Sequence, residues 1–287
     1  MGHRAGVLVA LALLTSAIGP SPRAETGRDA PSEFQPQPMV SLDRPILPIP
    51  MAALDESARA RVEAVLSHEI FAQRVTGIRY RSREEVYEFL LDHPDFAATV
   101  ARAVHVGQYR LDRVDDTYVG DDQRGARGVL RLLHADPGRR LYYLEGRFDT
   151  PGLPTIAGEM LILLEFRHED DGEGGTVVDQ SLTGHLRIDT PVVGPLAALL
   201  GSLARPIVTQ AVERKVRRFF QTVARVSRWA YDEPEQLVAV LDQNPDVPQD
   251  PTLAAFARIL LADRLPAWAR EPYRLMPEPS PPDAGGS

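Results

Sequence analysis

The stretch Thr176-Val177-Val178-Asp179-Gln180-Ser181-Leu182-Thr183-Gly184-His185-Leu186-Arg187-Ile188 alternates in character residue by residue. Side chains two apart share a sheet face. Val178, Gln180, Leu182, Gly184, Leu186 and Ile188 therefore point one way, and Asp179, Ser181, Thr183, His185 and Arg187 the other. One apolar and one polar side is the pattern of an antiparallel strand lying against a core. The same parity upstream turns Ile156, Met160, Ile162, Leu164 and Phe166 inward, opposite Glu159, Glu165 and Arg167. One strand earlier it turns Tyr142, Leu144 and Phe148 inward and Glu145 and Arg147 outward. A slip of one residue would exchange these sets, and Glu145 and Arg147 would become an inward ion pair able to orient a polar headgroup.

Working outward, strands are expected at Val106–Arg113, Thr117–Asp121, Ala126–His134, Arg140–Asp149, Ile156–Arg167 and Thr176–Ile188. Between them lies turn chemistry: Asp115-Asp116, Asp136-Pro137-Gly138, Pro151-Gly152 and Asp170-Asp171-Gly172. Such short connections imply an antiparallel meander, because parallel strands need long crossovers. Ahead of it comes a strand over Phe71–Tyr80. Ser82-Arg83-Glu84-Glu85 then reads as a capping box that opens a helix with Val86, Phe89 and Leu90 on its apolar face. That helix stops before Pro94, and a second is expected over Asp95–Ala103.

Behind the meander, Pro191–Ala204 is almost wholly apolar, and Pro206 starts a long amphipathic helix ending near Tyr231. Val208, Val212, Val216, Phe219, Val223 and Val226 form its stripe, with Arg214, Lys215, Arg217, Arg218 and Arg225 opposite. Two further helices are expected at Glu233–Asp242 and Thr252–Leu265. The fold class is α+β of the helix-grip kind: a curved antiparallel sheet of about seven strands around a long C-terminal helix, with short added helices at both ends.

This order resembles the START-like superfamily, which includes lipid-transfer domains and polyketide cyclases and aromatases. The resemblance runs from about Phe71 to Tyr231. Its specific carriers are Tyr80-Arg81-Ser82-Arg83-Glu84-Glu85-Val86-Tyr87-Glu88-Phe89-Leu90 at the strand-to-helix junction and Thr183-Gly184-His185-Leu186 before the final turn and helix. It implies a cavity that holds a hydrophobic small molecule: a lipid, a sterol or hopanoid, or a polyketide-like compound. The lining expected on this basis is Tyr109, Tyr142, Leu144, Phe148, Met160, Ile162, Leu164, Phe166, Leu182, Leu186, Leu199, Val208, Val212 and Phe219. Arg131, Glu145 and Arg147 are the candidates for polar headgroup contacts. A dozen buried methylenes would contribute about 10 kcal/mol gross, so retention needs no special polar site. The apolar 192–204 segment would border the mouth and touch a membrane transiently during exchange.

The ends of the chain set the remaining expectations. His3 and Arg4 precede an apolar run over 5–18, broken by Gly19, Pro20, Ser21 and Pro22. That is the order of a secretory signal peptide, cleaved after Ala24 or Ala17, and the run is shorter than the roughly 20 residues of a membrane span. Residues 1–24 are thus read as a signal peptide and 25–50 as a proline-rich linker. A helix over 51–67, the helix-grip domain over 68–232, a helical appendage over 233–276 and a disordered tail over 277–287 follow. The protein is expected to be exported, periplasmic or extracellular. It has no cysteine, hence no disulfide framework and no thiolate metal site.

With a formal charge of −8, the chain is poorly suited to neutralising phosphates, so no nucleic-acid partner is expected. G-x-S-x-G, H-E-x-x-H, P-loop and S-x-x-K motifs are absent from the sequence. The histidines show no i, i+4 pair, and no metal or cofactor is expected. Asp179, Ser181, Thr183 and His185 share a face but sit about 6.6 Å apart at each step, too far for a triad. They read as an outward polar face. Two alternatives to a carrier remain open: a cyclase-type enzyme using Tyr109, Arg131 and Glu145, and a non-catalytic envelope module with a filled core.

Overall fold

The structure, a computed structural model, describes residues 51–105, 107–121, 123, 125–149, 155–172, 175–189, 223 and 226–262. A 3₁₀ turn at Met51–Ala53 leads into α1 (Glu56–Ser67), β1 (Phe71–Arg81), α2 (Glu84–Asp92) and α3 (Pro94–Ala103). The meander follows as β2 (Arg110–Val114), β3 (Thr117–Asp121), β4 (Ala126–Asp136), β5 (Arg139–Phe148), β6 (Ile156–Asp170) and β7 (Thr176–Ile188). Helical residues at 226–232 (α4), α5 (Pro234–Gln243) and α6 (Pro251–Leu261) close the described part. Residues 190–222, which hold most of the expected long helix, lie outside it. Among the described residues no helix is long and apolar enough to cross a membrane.

All seven strands form one antiparallel sheet in the order β1-β7-β6-β5-β4-β3-β2. Two helices between the first and second strands, and a first strand that closes against the last, make this the sheet of a helix-grip arrangement. The inward parity also stands. Leu164, Phe166 and Val178 cluster with Tyr87 of α2, while Leu144 and Met160 cluster with Ala98 of α3. Val223, the described residue of the expected long helix that reaches the sheet, packs on the first of these clusters.

Local chemistry explains the elements and two departures from expectation. Asp55 caps α1 by accepting the Ala58 N–H at 2.7 Å. Pro94 and Pro251 sit in the first turns of α3 and α6, where a missing N–H costs little. The capping box at Ser82 does not form. The Ser82 N–H instead donates to the Thr176 carbonyl at 3.0 Å and prolongs the β1–β7 ladder, and α2 starts without a side-chain cap.

The polar face of β7 is the second departure. It points outward, but its Thr183 and His185 end is not solvated, because α1 lies across it, whereas Asp179 pairs with the exposed Arg79 and Arg167. Ala58, Val62 and Val65 pack there on Leu141, Tyr143, Leu161 and Leu163. Thr183 and His185 are buried beneath, and His185 Nδ1 meets Glu69 Oε2 at 2.5 Å. The sheet is thus covered on both faces. On the far side of α2 and α3, the C-terminal helices add a third cluster through Leu237, Leu241, Leu253, Phe256 and Leu260.

Candidate functional site

The ladders arrange the inner face in rows. One row is Gly120, Gly128, Gly146 and Gly158 on four successive strands, ending on Ile188 of β7. All four glycines are buried. Four adjacent strands there project no side chain, so whatever packs on this band approaches the backbone itself. The next row is Tyr118, Leu130, Leu144, Met160 and Leu186, and the one after it holds Tyr142 and Ile162. Beyond these lie Arg140, Leu164, Leu182 and Val75, then Phe166, Gln180 and Ile78, then His168, Val178 and Tyr80. The inner face therefore runs from bare backbone, through apolar side chains, to a polar end.

Helix α2 roofs the polar end. The Tyr87 hydroxyl donates to Gln180 Oε1, and its ring meets Phe166 at 5.1 Å and Tyr80 at 6.4 Å between centroids. Arg140 is 7% exposed, yet its guanidinium is inside, 5.6 Å over the Phe166 ring. Its Nη2 reaches Asp92 Oδ1 at 3.1 Å, and its Nη1 donates to the carbonyls of Asp136 and Arg139 at 2.8 and 3.1 Å. Arg140 Nε and Gln180 Nε2 are buried without a hydrogen-bond partner. A buried donor left unmade costs about 1–3 kcal/mol; the Tyr80 hydroxyl beside Gln180 is close enough to lower that cost for Gln180, and Arg140 Nε has no such neighbour among the described residues.

The buried phenols do not serve as bases. Burial pushes Tyr80, Tyr87 and Tyr142 well above the ordinary tyrosine range. Burial also pushes Tyr109 up to about 12, with Arg102 opposing. All four stay protonated at neutral pH; Tyr87 donates to Gln180 and Tyr142 to the Leu91 carbonyl.

The expected lining is distributed as follows. Leu144 and Met160, with Tyr109, Tyr142, Ile162 and Leu186 packed against them, form one cluster. Leu164 and Phe166, with Leu182 packed against them, form the neighbouring one. Phe148 ends β5 opposite Ala126 and Ile156. Leu199, Val208, Val212, Phe219 and the 192–204 segment lie outside the described residues. The expected headgroup residues lie on the outer face, as the alternation of β5 requires and not as the one-residue slip would have them. Arg131, Glu145 and Arg147 share the outer parity of Tyr143, and Arg131 and Arg147 turn toward Asp116 and Asp149 at 3.7 and 3.3 Å. Arg140 is the arginine that the structure places inside. Its parity with Tyr142 and Leu144 was visible, but at a strand end beside a turn an arginine reads as solvated.

A separate cleft of about 640 Å³ opens between α3, β2 and the 246–248 segment. Arg102, His105, Arg110, Asp112 and Asp246 line it, and such a charged lining does not suit an apolar ligand.

No protein-family model and no curated protein matches the sequence. Among solved structures, a conserved protein from Geobacillus kaustophilus is similar at 14% identity and a TM-score of 0.36, over 55% of this chain and 93% of that one. The di-domain ARO/CYC BexL from the BE-7585A biosynthetic pathway is similar at 19% identity and a TM-score of 0.34, over 59% of this chain and 54% of that one. Ara h 8.0201 is similar at 11% identity and a TM-score of 0.27, over 53% of this chain and 97% of its own.

Proposed function

We propose that this protein binds and carries an amphiphilic small molecule, with an apolar body along the inner face and an oxygen-bearing headgroup at the roofed end. The supporting observation is the buried Arg140 guanidinium, whose Nε is unmade among the described residues, beside the Gln180 amide at the end of apolar rows. A carboxylate is the headgroup that suits them, because a hydrogen bond from a buried guanidinium to an anion is charge-assisted. Asp92 already faces Arg140, and at 53% side-chain exposure it can remain hydrated while the guanidinium turns to a ligand. The row of glycines adds no side chain to that part of the inner face, so an apolar body there would lie against backbone. Export through the 1–24 segment belongs to the same proposal: a carrier outside the cytoplasm would shield such a molecule from water. Contact of the 192–204 segment with a membrane during exchange completes it.

The cyclase alternative is less well supported. Tyr109 lies on the inner cluster, whereas Arg131 and Glu145 belong to the outer face. These three groups do not converge on one substrate.

The test is binding of a fluorescent fatty acid to the full chain, alongside mass spectrometry of an organic extract of protein purified from a bacterial host. A co-purifying lipid or saturable probe binding is expected. Arg140→Met and Gln180→Leu should each weaken the acid by about tenfold or more and affect the corresponding alcohol less. Neither a co-purifying lipid nor probe binding in the wild type would refute the carrier reading. Equal affinities for acid and alcohol, unchanged by both substitutions, would refute the headgroup assignment alone.

A further inference from the structure

We propose that Glu84, Glu88 and His168 form a site for one divalent transition-metal ion of the zinc type. Glu84 and Glu88 stand one turn apart on α2, so their carboxylates share a helix face. His168 comes from the far end of β6, opposite Val178, with its ring edge-on to Tyr87 at 5.7 Å and Phe166 at 5.8 Å. One ligand atom from each of the three residues lies within 4.8 Å of the others. Nothing in the sequence marks this meeting, since 80 residues separate the imidazole from the nearer carboxylate.

The imidazole supplies an independent observation. His168 is half-buried, but both its ring nitrogens are cut off from solvent, and neither has a hydrogen-bond partner among the described residues. A neutral imidazole carries one donor and one acceptor, and leaving such groups buried and unmade calls for an explanation. Coordination through one nitrogen gives the lone pair its partner. The carboxylates point to the same conclusion. Around them acids are paired: Arg79 holds Glu169 at 2.7 Å and Arg81 holds Asp171 at 2.7 Å. Glu84 and Glu88 make no ion pair among the described residues, and like charges one turn apart repel. A cation between them turns that repulsion into attraction.

Donor chemistry selects the ion. Two carboxylates and a neutral imidazole balance a charge of +2. Calcium and magnesium favour all-oxygen shells, whereas a nitrogen ligand favours zinc and its first-row neighbours. Bonds of 2.0–2.2 Å would draw the ligand atoms to about 3.4 Å apart in a tetrahedron. Glu84 is exposed and Glu88 half-buried, so both side chains can rotate to close the gap, leaving a fourth position for water. A metal there would fasten α2 to the sheet.

The test is calorimetric titration of the chelator-treated full chain with zinc chloride, with magnesium chloride as the second probe. One zinc equivalent is expected, with magnesium binding far more weakly and zinc raising the thermal midpoint. Glu84→Gln and Glu88→Gln, which keep side-chain size, should each weaken zinc by at least tenfold, and His168→Ala should abolish the stoichiometric site. No saturable zinc binding in the wild type, equal binding of magnesium, or the wild-type affinity in both glutamine variants would overturn the site. None of these outcomes bears on fatty-acid binding.

Discussion

Gly138 adopts φ 86° in the turn that joins β4 to β5, a conformation that costs other residues about 1–2 kcal/mol. Its carbonyl accepts the Phe166 N–H at 2.8 Å, and a Cβ at Gly138 would come within 2.8 Å of the Phe166 carbonyl oxygen. The turn is docked on the edge of β6 and has no room to relax. Gly138→Ala should therefore lower the unfolding free energy by about 2 kcal/mol, and an unshifted urea midpoint would contradict this. Two residues earlier, hydrogen bonds from Arg139 at 3.0 and 2.7 Å hold the Asp136 carboxyl below the usual carboxylate range. A lowered folded-state value means stability that is present above the unfolded-state value and lost as pH falls through the folded one. Asp136→Asn should cost less than about 1 kcal/mol at neutral pH, the group being partly solvated. The difference should vanish near pH 2, and a loss that persists there would rule out the ion pair as its cause. At this scale, Leu164 and Phe166 were readable because a period of two needs no knowledge of neighbours. Arg140 was not, because its partner Asp92 lies 48 residues away and only the closed sheet brings them together.

The element that the sequence could not place was α1. Its apolar stripe, Ala58, Val62 and Val65, was legible, but nothing in a stripe says which surface it will cover. The answer lies in a second apolar set on β5 and β6, Leu141, Leu161 and Leu163, at positions whose parity assigns them to the outer face. Leucines on an outward face require a cover, so that pattern held the missing information. Leu163 is fully buried, and Leu163→Ala should cost about 2–5 kcal/mol. Val62 belongs to the same cluster, so Val62→Ala and Leu163→Ala should couple by about 0.5 kcal/mol or more in a double-mutant cycle. Strict additivity in denaturant titrations would mean that α1 does not seal this face. The expected ranges of β3 and β7 coincide with the observed ones because turn residues bracket both. The expected cap at Ser82 failed because a serine before a helix can also end a strand, and a ladder hydrogen bond to Thr176 prevailed.

For the molecule as a whole, the question is whether the C-terminal helices are an appendage or part of the fold. Element order reads them as an appendage, with α5 and α6 following the helix-grip order as an extra pair. Their contacts nonetheless join them to α2 and α3. Phe256 is 1% exposed, and its ring meets Phe96 of α3 at 5.1 Å and Phe89 of α2 at 5.6 Å. Arg83, at the start of α2, donates to the Leu260 carbonyl at 2.9 Å. The same α2 roofs the polar end of the inner face through Tyr87, so one helix has α6 behind it and the candidate site in front. A two-turn helix held on both sides cannot lose one support without weakening its contact with the other. Phe256→Ala should therefore cost about 3–5 kcal/mol and lower the stability of sheet and C-terminal helices together. Trp229 sits in α4 and donates to Gln236 of α5 at 3.0 Å, so with the other tryptophan removed by Trp268→Phe its fluorescence reports on that end of the molecule. Near-ultraviolet circular dichroism of the buried tyrosines reports on the sheet. The two signals should follow one denaturation curve in the wild type and in Phe256→Ala, as cooperative unfolding requires. A fluorescence change that precedes the tyrosine signal would show that the C-terminal helices melt as a separate unit.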